Sequence, residues 1–192
     1  MCNLRLILGF TLAASLPFAT AQAAPADLPE TGQTSCYTAA GVATACATTG
    51  QDGELRVGVA WPAPRFVVGA GALQDCVTDN LTGLMWVRAP STTANTWTNA
   101  LTAANGLTLC GFSDWRLPNV TELESLMNLE VTNQATFLNA QGFVGVQAIN
   151  YWSSSSYAGS AASAWIVGTF DGGMVPDFKS GGSYVWPVRA GQ

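Results

Sequence analysis

The rhythm of apolar and polar positions changes several times along the chain, and each change marks an element. Cys76-Val77-Thr78-Asp79 and Leu84-Met85-Trp86-Val87 are strand-like runs. The turn formers Asn80-Leu81-Thr82-Gly83 lie between them, which predicts a hairpin. A turn explains Asp79 and Asn80 better than a ligand role does. In Trp97–Asn105, Trp97, Leu101 and Ala104 share one helical face, with Thr96 at the cap position and Gly106 at the stop. The densest stretch is Cys110–Leu126. Asp114-Trp115-Arg116 reads as extended, with Asp114 and Arg116 on one side and Trp115 on the other. Pro118 biases Leu117 away from helix. Asn119 is then a good N-cap, and Glu122, three residues on, can reach back to it. Val120, Leu123, Leu126 and Met127 continue at helical spacing, so a helix is predicted over roughly Val120–Leu129.

Thr132–Asn150 is mixed, with Phe137, Leu138, Phe143 and Val146 as core candidates. Strand patterns then dominate. Tyr151–Tyr157 is extended, Ala164–Phe170 is a strand, Asp171-Gly172-Gly173 is a turn and Met174–Phe178 is the returning strand. Tyr184–Arg189 is a terminal strand in which Pro187 demands an edge or a bulge. The order predicts an α+β domain with two helices packed on a late antiparallel β-sheet. Trp86, Trp115, Arg116, Asn119, Glu122, Trp152 and Trp186 are its expected structural nucleus.

Ahead of this domain the pattern is different. Arg5, the apolar run Leu6–Phe18 and Ala21-Gln22-Ala23 have the form of a secretory signal, residues 1–23. Residues 24–66 read as a flexible leader over Ala24–Glu30 followed by a small stapled module, with Trp61–Phe66 stiff, extended and on the surface. The domain proper is expected over 67–192. Cys36, Cys46, Cys76 and Cys110 follow the signal, and an even number in an exported chain predicts disulfides. Of the three possible pairings, Cys36–Cys46 with Cys76–Cys110 keeps each bridge within one unit and is preferred.

Composition removes several function classes. The chain has no histidine, which excludes the Ser-His-Asp and Cys-His arrangements and most zinc sites. No metal site and no cofactor are expected. With Arg5 in the signal, six Lys/Arg remain against twelve Asp/Glu. That balance disfavours nucleic acid and anionic membranes as partners. Beyond the signal, no apolar run is long enough to cross a membrane. The oligomeric state is not legible.

Val77–Trp86, Asp114-Trp115-Arg116-Leu117-Pro118-Asn119 with Glu122-Leu123, Tyr151-Trp152-Ser153-Ser154 and Val185-Trp186-Pro187-Val188-Arg189 stand in an order that resembles the Lcl C-terminal domain family. The resemblance covers roughly Thr31 to Arg189. It implies a C-type-lectin-like fold in a bacterial exported or cell-envelope protein. The family's namesake is a collagen-like adhesin whose C-terminal domain binds sulfated glycans. Here there is no collagen repeat and no evident basic patch. Leu117-Pro118-Asn119 lacks the acidic ligand of the calcium-lectin pattern.

The leading expectation is therefore a non-enzymatic adhesion or binding module whose ligand is an extracellular glycan or a surface protein. The late loops and sheet face supply the candidate contacts Tyr157, Asp171, Met174, Asp177, Lys179 and Tyr184. Trp152 and Trp165 are expected in the core instead. A structural envelope protein without a dedicated ligand is the alternative. A carboxylate enzyme acting on glycans is the third reading, and needs two of Asp79, Asp114, Asp171 and Asp177 to face each other. No catalytic residue is assigned.

Overall fold

The computed structural model describes residues 28–191. The proposed signal and Ala24–Asp27 lie outside the described residues.

The described residues form four α-helices and nine strands, in three antiparallel sheets. β1 (Cys36–Tyr37) and β2 (Ala43–Thr44) make a small ribbon, followed by α1 (Asp52–Leu55). β3 (Phe66–Val68), β4 (Cys76–Asp79), β5 (Leu84–Val87) and β9 (Val188–Ala190) form a four-stranded sheet in that order. β6 (Asn150–Ser156), β7 (Ser163–Gly168) and β8 (Met174–Phe178) form a three-stranded sheet. Between them in sequence come α2 (Trp97–Asn105), α3 (Val120–Glu124) and α4 (Gln134–Ala140). The class is α+β. The arrangement differs from two helices on one late sheet, because the last strand returns to pair with early ones.

That return is made by the terminal stretch. Tyr184 bridges Tyr151 on the edge of β6, and Val188 then pairs with Trp86 of β5 and bridges Arg116. Pro187 lies between the two pairings, and its carbonyl accepts the Val87 N–H. A proline can serve there because only its carbonyl is needed.

Two apolar clusters fill the interior. The larger holds Trp86, Trp115, Trp186, Tyr151, Phe143, Leu123 and Leu126. Trp186 sits edge-on to Trp86 and to Phe143, with centroids 5.9 and 5.1 Å apart. The smaller packs Trp152, Ala164, Ile166, Leu117 and Val185 against Ala100 and Ala104 of α2. The central strand β7 therefore contributes to both clusters. The buried indole N–H groups mostly find carbonyls: Trp152 donates to Asn95, Trp115 to Leu109 and Trp186 to Val87.

Both disulfides join the expected partners, Cys36–Cys46 and Cys76–Cys110. Cys110 sits in a tight turn that the sequence reading missed. Leu109 and Phe112 exchange both backbone hydrogen bonds across Cys110 (φ 54°) and Gly111 (φ 80°). Two successive positive φ values are what a two-residue hairpin turn of this kind requires.

The helix after Asn119 begins where predicted. Asn119 Oδ1 accepts the Glu122 N–H, and Glu122 returns the bond to the Asn119 N–H. The same carboxylate takes a two-pronged contact from Arg116 at 2.7 and 2.6 Å. The helix stops at Glu124 and not at Leu129. The next helical bond would join the Leu126 N–H to the Glu122 carbonyl, but that carbonyl takes the Ser125 hydroxyl, and the Leu126 and Met127 N–H groups bond Leu123 and Glu124, three residues back. Beyond this tightened turn the Arg65 guanidinium takes the Ser125 carbonyl and the Leu129 N–H goes to Thr31.

Other expectations need correction. Trp97–Asn105 is helical as predicted, but Thr96 makes no side-chain cap. The Trp97 N–H donates to the Lys179 carbonyl instead. α4 was missed, although Asn133 caps it through the Thr136 N–H. Leu28–Glu30 is not a free leader, since Leu28 and Glu30 exchange hydrogen bonds with Val59. Trp61–Phe66 does not run wholly on the surface, because Arg65 and Phe66 are buried.

Candidate functional site

The carboxylates come first, because they decide between binding and hydrolysis. Asp79 is fully buried. Arg65 meets it with two hydrogen bonds, at 3.1 and 3.0 Å. Its oxygens also hold the Leu81 N–H and the Thr82 hydroxyl, so it is a turn residue as read and an ion-pair partner as well. The Arg65 guanidinium lies over the rings of Trp61 and Phe66, and its Nη1 makes no hydrogen bond. Asp114 receives two bonds from Arg189, whose guanidinium covers Phe112. The Arg189 hydrogen bonds hold the Asp114 carboxyl below its ordinary range. Burial pushes Glu122 up, but the Arg116 and Asn119 hydrogen bonds outweigh it and leave Glu122 lowered. Asp171 lies in the turn before β8, and Asp177 is the fourth residue of the strand, about 10 Å along it from Met174. No group of three or more His, Cys, Asp or Glu among the described residues could hold a metal ion.

The six candidate contacts do not converge. Tyr157, Asp177 and Lys179 lie toward the Ser163–Phe178 end of the β7–β8 pair. Asp171 and Met174 lie at the opposite end, in and beside the turn, where Asp171 accepts the Gly173 N–H. Tyr184 is on the far side of the sheet's order, edge-on to Tyr151. The Tyr151 hydroxyl is pushed up to about 12 by burial, with the neighbouring Tyr184 adding to the shift.

Lys179 is engaged within the protein. Its Nζ donates to Ser156 Oγ at 2.7 Å and to the Ala161 carbonyl at 3.0 Å. It also sits 4.1 Å from the centre of the Trp97 ring. It clamps the β6–β7 turn to the start of α2, and that leaves one of its three donor positions open.

What the structure does bring together is an apolar strip that the sequence reading only partly named. Register places Trp165 opposite Pro176, Val167 opposite Met174 and Ser163 opposite Phe178, so these six share one face. Tyr157 packs edge-on against Trp165 at 5.1 Å. Phe178 is 64% exposed and Met174 39%, while Val175 on the other face is 51% exposed. Phe170 stands exposed just before the turn. Phe178 was missed because a strand aromatic is ordinarily core. The signal was its period-two alternation with Met174 and Pro176 on a short strand holding a proline, which is an edge strand.

The backbone of that edge is largely closed to strand addition. The Gly168 N–H donates to Gly173 and the Lys179 N–H to Ala162. Alternation along the ladder then turns the backbone groups of Met174, Pro176 and Phe178 outward. Pro176 has no N–H. The Phe178 N–H is taken by Asp177 Oδ1, and its carbonyl accepts the Gly181 N–H. Met174 retains the one outward N–H of the three.

A groove opens beside the β7–β8 turn. Its volume is about 230 Å³. Gly172 of the turn, Thr121, Glu124 and Ser125 from around α3, and Glu30 and Thr31 of the upstream module line it, over Met127 and Leu129. The module is fastened at this junction. Glu130 accepts the Thr34 and Ser35 N–H groups at 2.7 and 3.0 Å and the Ser35 hydroxyl. The Ser35 hydroxyl and those amides lower its carboxyl to about 2.

These features define a small, disulfide-bonded α+β module with an open apolar strip. Residues 75–189 match the Lcl C-terminal domain, and the chain belongs to that family. The match starts at Asp75 and not at Thr31, so the stapled module lies upstream of it. No curated protein matches the chain. Two disulfides, and the absence of any helix long and apolar enough to cross a membrane among the described residues, are compatible with an exported protein.

Proposed function

We propose that the protein is an exported, non-enzymatic binding module of C-type-lectin-like fold, which contacts its ligand through the β7–β8 face. The ligand is an extracellular glycan or a surface protein. The observation that carries this reading is the exposed strip Met174, Pro176 and Phe178 on one face of β8, on a fold whose other large apolar side chains mostly pack into two cores. Exposed apolar side chains gathered on one face are costly to keep without a use. Tyr157 and Trp165 extend the strip and offer aromatic surface for stacking.

The carboxylate geometry supports the non-enzymatic reading. A glycosidase pair sits about 5–10 Å apart with one member kept protonated. Asp79 and Asp114 instead each answer an arginine, and Asp171 in the turn is separated from Asp177 by Gly172–Pro176.

The test is a binding screen of the oxidised protein against glycan and peptide libraries, repeated with Phe178→Ser. Ligands should be found, and Phe178→Ser should weaken them about tenfold or more without lowering the urea midpoint. Hydrolysis of a library member that is lost on Asp171→Asn or Asp177→Asn would replace this reading with an enzyme.

A further inference from the structure

The charges around the strip narrow the ligand, given the binding reading above. Every lysine and arginine among the described residues is already committed. Arg56, Arg65, Arg116 and Arg189 are paired with Glu30, Asp79, Glu122 and Asp114. Arg88 donates to the Gly142 and Gln74 carbonyls. Lys179 holds Ser156 and Ala161. A sulfated glycan is recognised by a cluster of cations free to approach its anionic groups, and beyond the one open Lys179 donor every such group here already has an internal partner.

The unanswered charge is acidic, and it lies at the turn end of the strip and on the reverse face of β8. Asp171 stands at the turn end, and Asp177 near the other end on the face of Val175, opposite Met174 and Phe178; neither has a basic partner. The groove continues from Gly172 to Glu124, which also has no ion pair, over the apolar floor of Met127 and Leu129. The strip itself offers few hydrogen-bonding side chains for sugar hydroxyls. Its exposed members Phe178, Met174 and Pro176 are of the kind that forms the anchor-and-pocket centre of protein interfaces. Because the β8 backbone is largely closed, such a partner would pack side chains over the face and would not add a strand.

We infer that the ligand is a protein segment carrying a large apolar anchor flanked by lysine or arginine. The anchor seats on Phe178, Met174 and Trp165. A basic side chain meets Asp171 at the turn end, and a second reaches along the groove to Glu124. Charge complementarity around an apolar centre sets the partner's orientation and speeds its approach.

The experiment is a random-peptide display selection on the oxidised, full-length protein, with heparin and neutral oligosaccharides titrated in parallel. Enriched peptides should carry net positive charge with at least one aromatic or long aliphatic residue. They should bind at least tenfold more weakly to Phe178→Ser. They should bind several-fold more weakly to the double variant Asp171→Asn/Glu124→Gln, and more weakly still as salt rises through about 0.15 M. Heparin should not bind at that ionic strength. Acidic or charge-indifferent peptides, or heparin binding that needs Phe178, would overturn the inference. Phe178-dependent binding of a neutral oligosaccharide alone would overturn the protein partner and keep the binding surface. If neither peptides nor glycans bind a protein with a wild-type urea midpoint, the binding reading falls as well.

Discussion

The segment Asp114–Met127 and the strand β8 are both rich in large apolar residues, and they use them in opposite ways. In the first, Trp115, Leu117, Leu123, Leu126 and Met127 are all buried. Each polar group that could unsettle the segment is also answered: Asp114 by Arg189, Arg116 by Glu122, and the helix start by Asn119. In β8, Met174, Val175 and Phe178 remain exposed, and the nearby acids have no basic partner. One region spends its apolar surface on cohesion. The other keeps it available, and its backbone edge is guarded by Pro176, Asp177 and Gly181. The contrast teaches that exposure here is selective, since aggregation through the open edge is prevented while the side-chain face stays open.

The comparison breaks if the scaffold tolerates damage. Trp115→Ala should cost about 3–5 kcal/mol, as deletion of a buried aromatic does. Asp79→Ala should cost a similar amount, about 3–5 kcal/mol, because it leaves the buried Arg65 without its carboxylate. Urea denaturation checks both, and a loss under 1 kcal/mol in either would mean that the interior is misjudged. Asn119→Ala should cost less, about 0.5–2 kcal/mol, the range for a lost cap.

A pH titration sharpens the boundary between the domain and its upstream module. Glu130 has a folded value of about 2 against an ordinary 4.5. A lowered carboxyl stabilises the state that binds it ionised, so its contribution is present above about pH 4.5 and is lost as pH falls toward 2. Amide exchange at Thr34 and Ser35 should therefore accelerate across that window relative to core amides. In Glu130→Gln the pH-dependent step should be absent. The smallest effect is expected in β8, where Phe178→Ser should change folding stability by no more than about 0.5 kcal/mol. A larger loss would move Phe178 into the scaffold.

Local patterns made much of the fold legible. The β4–β5 hairpin, the bounds of α2, the strand Met174–Phe178 and the start of α3 follow from turn formers, caps and periodicity within a few residues. Part of what failed depended on distant partners. No local signal says that Arg65 will take the Ser125 carbonyl just after α3, or that the last strand will return to β5. The candidate site was less legible. Tyr157, Asp177 and Lys179 were chosen as residue types on late loops, and the structure does place them at one end of the hairpin. Lys179 looked like a free cation because Ser156, Ala161 and Trp97 are far from it in sequence. Phe178 was overlooked because a strand aromatic is ordinarily core, and its 64% exposure depends on no other element covering that face among the described residues.

The claim that the β8 face is the contact surface is tested most directly by hydroxyl-radical footprinting, with and without the tightest ligand from the screen. Met174 and Phe178 should lose most of their labelling when the ligand is bound, while Leu28 and Val57 on the upstream module should be labelled as before. Unchanged labelling of Met174 and Phe178, with protection on the upstream module, would contradict the account.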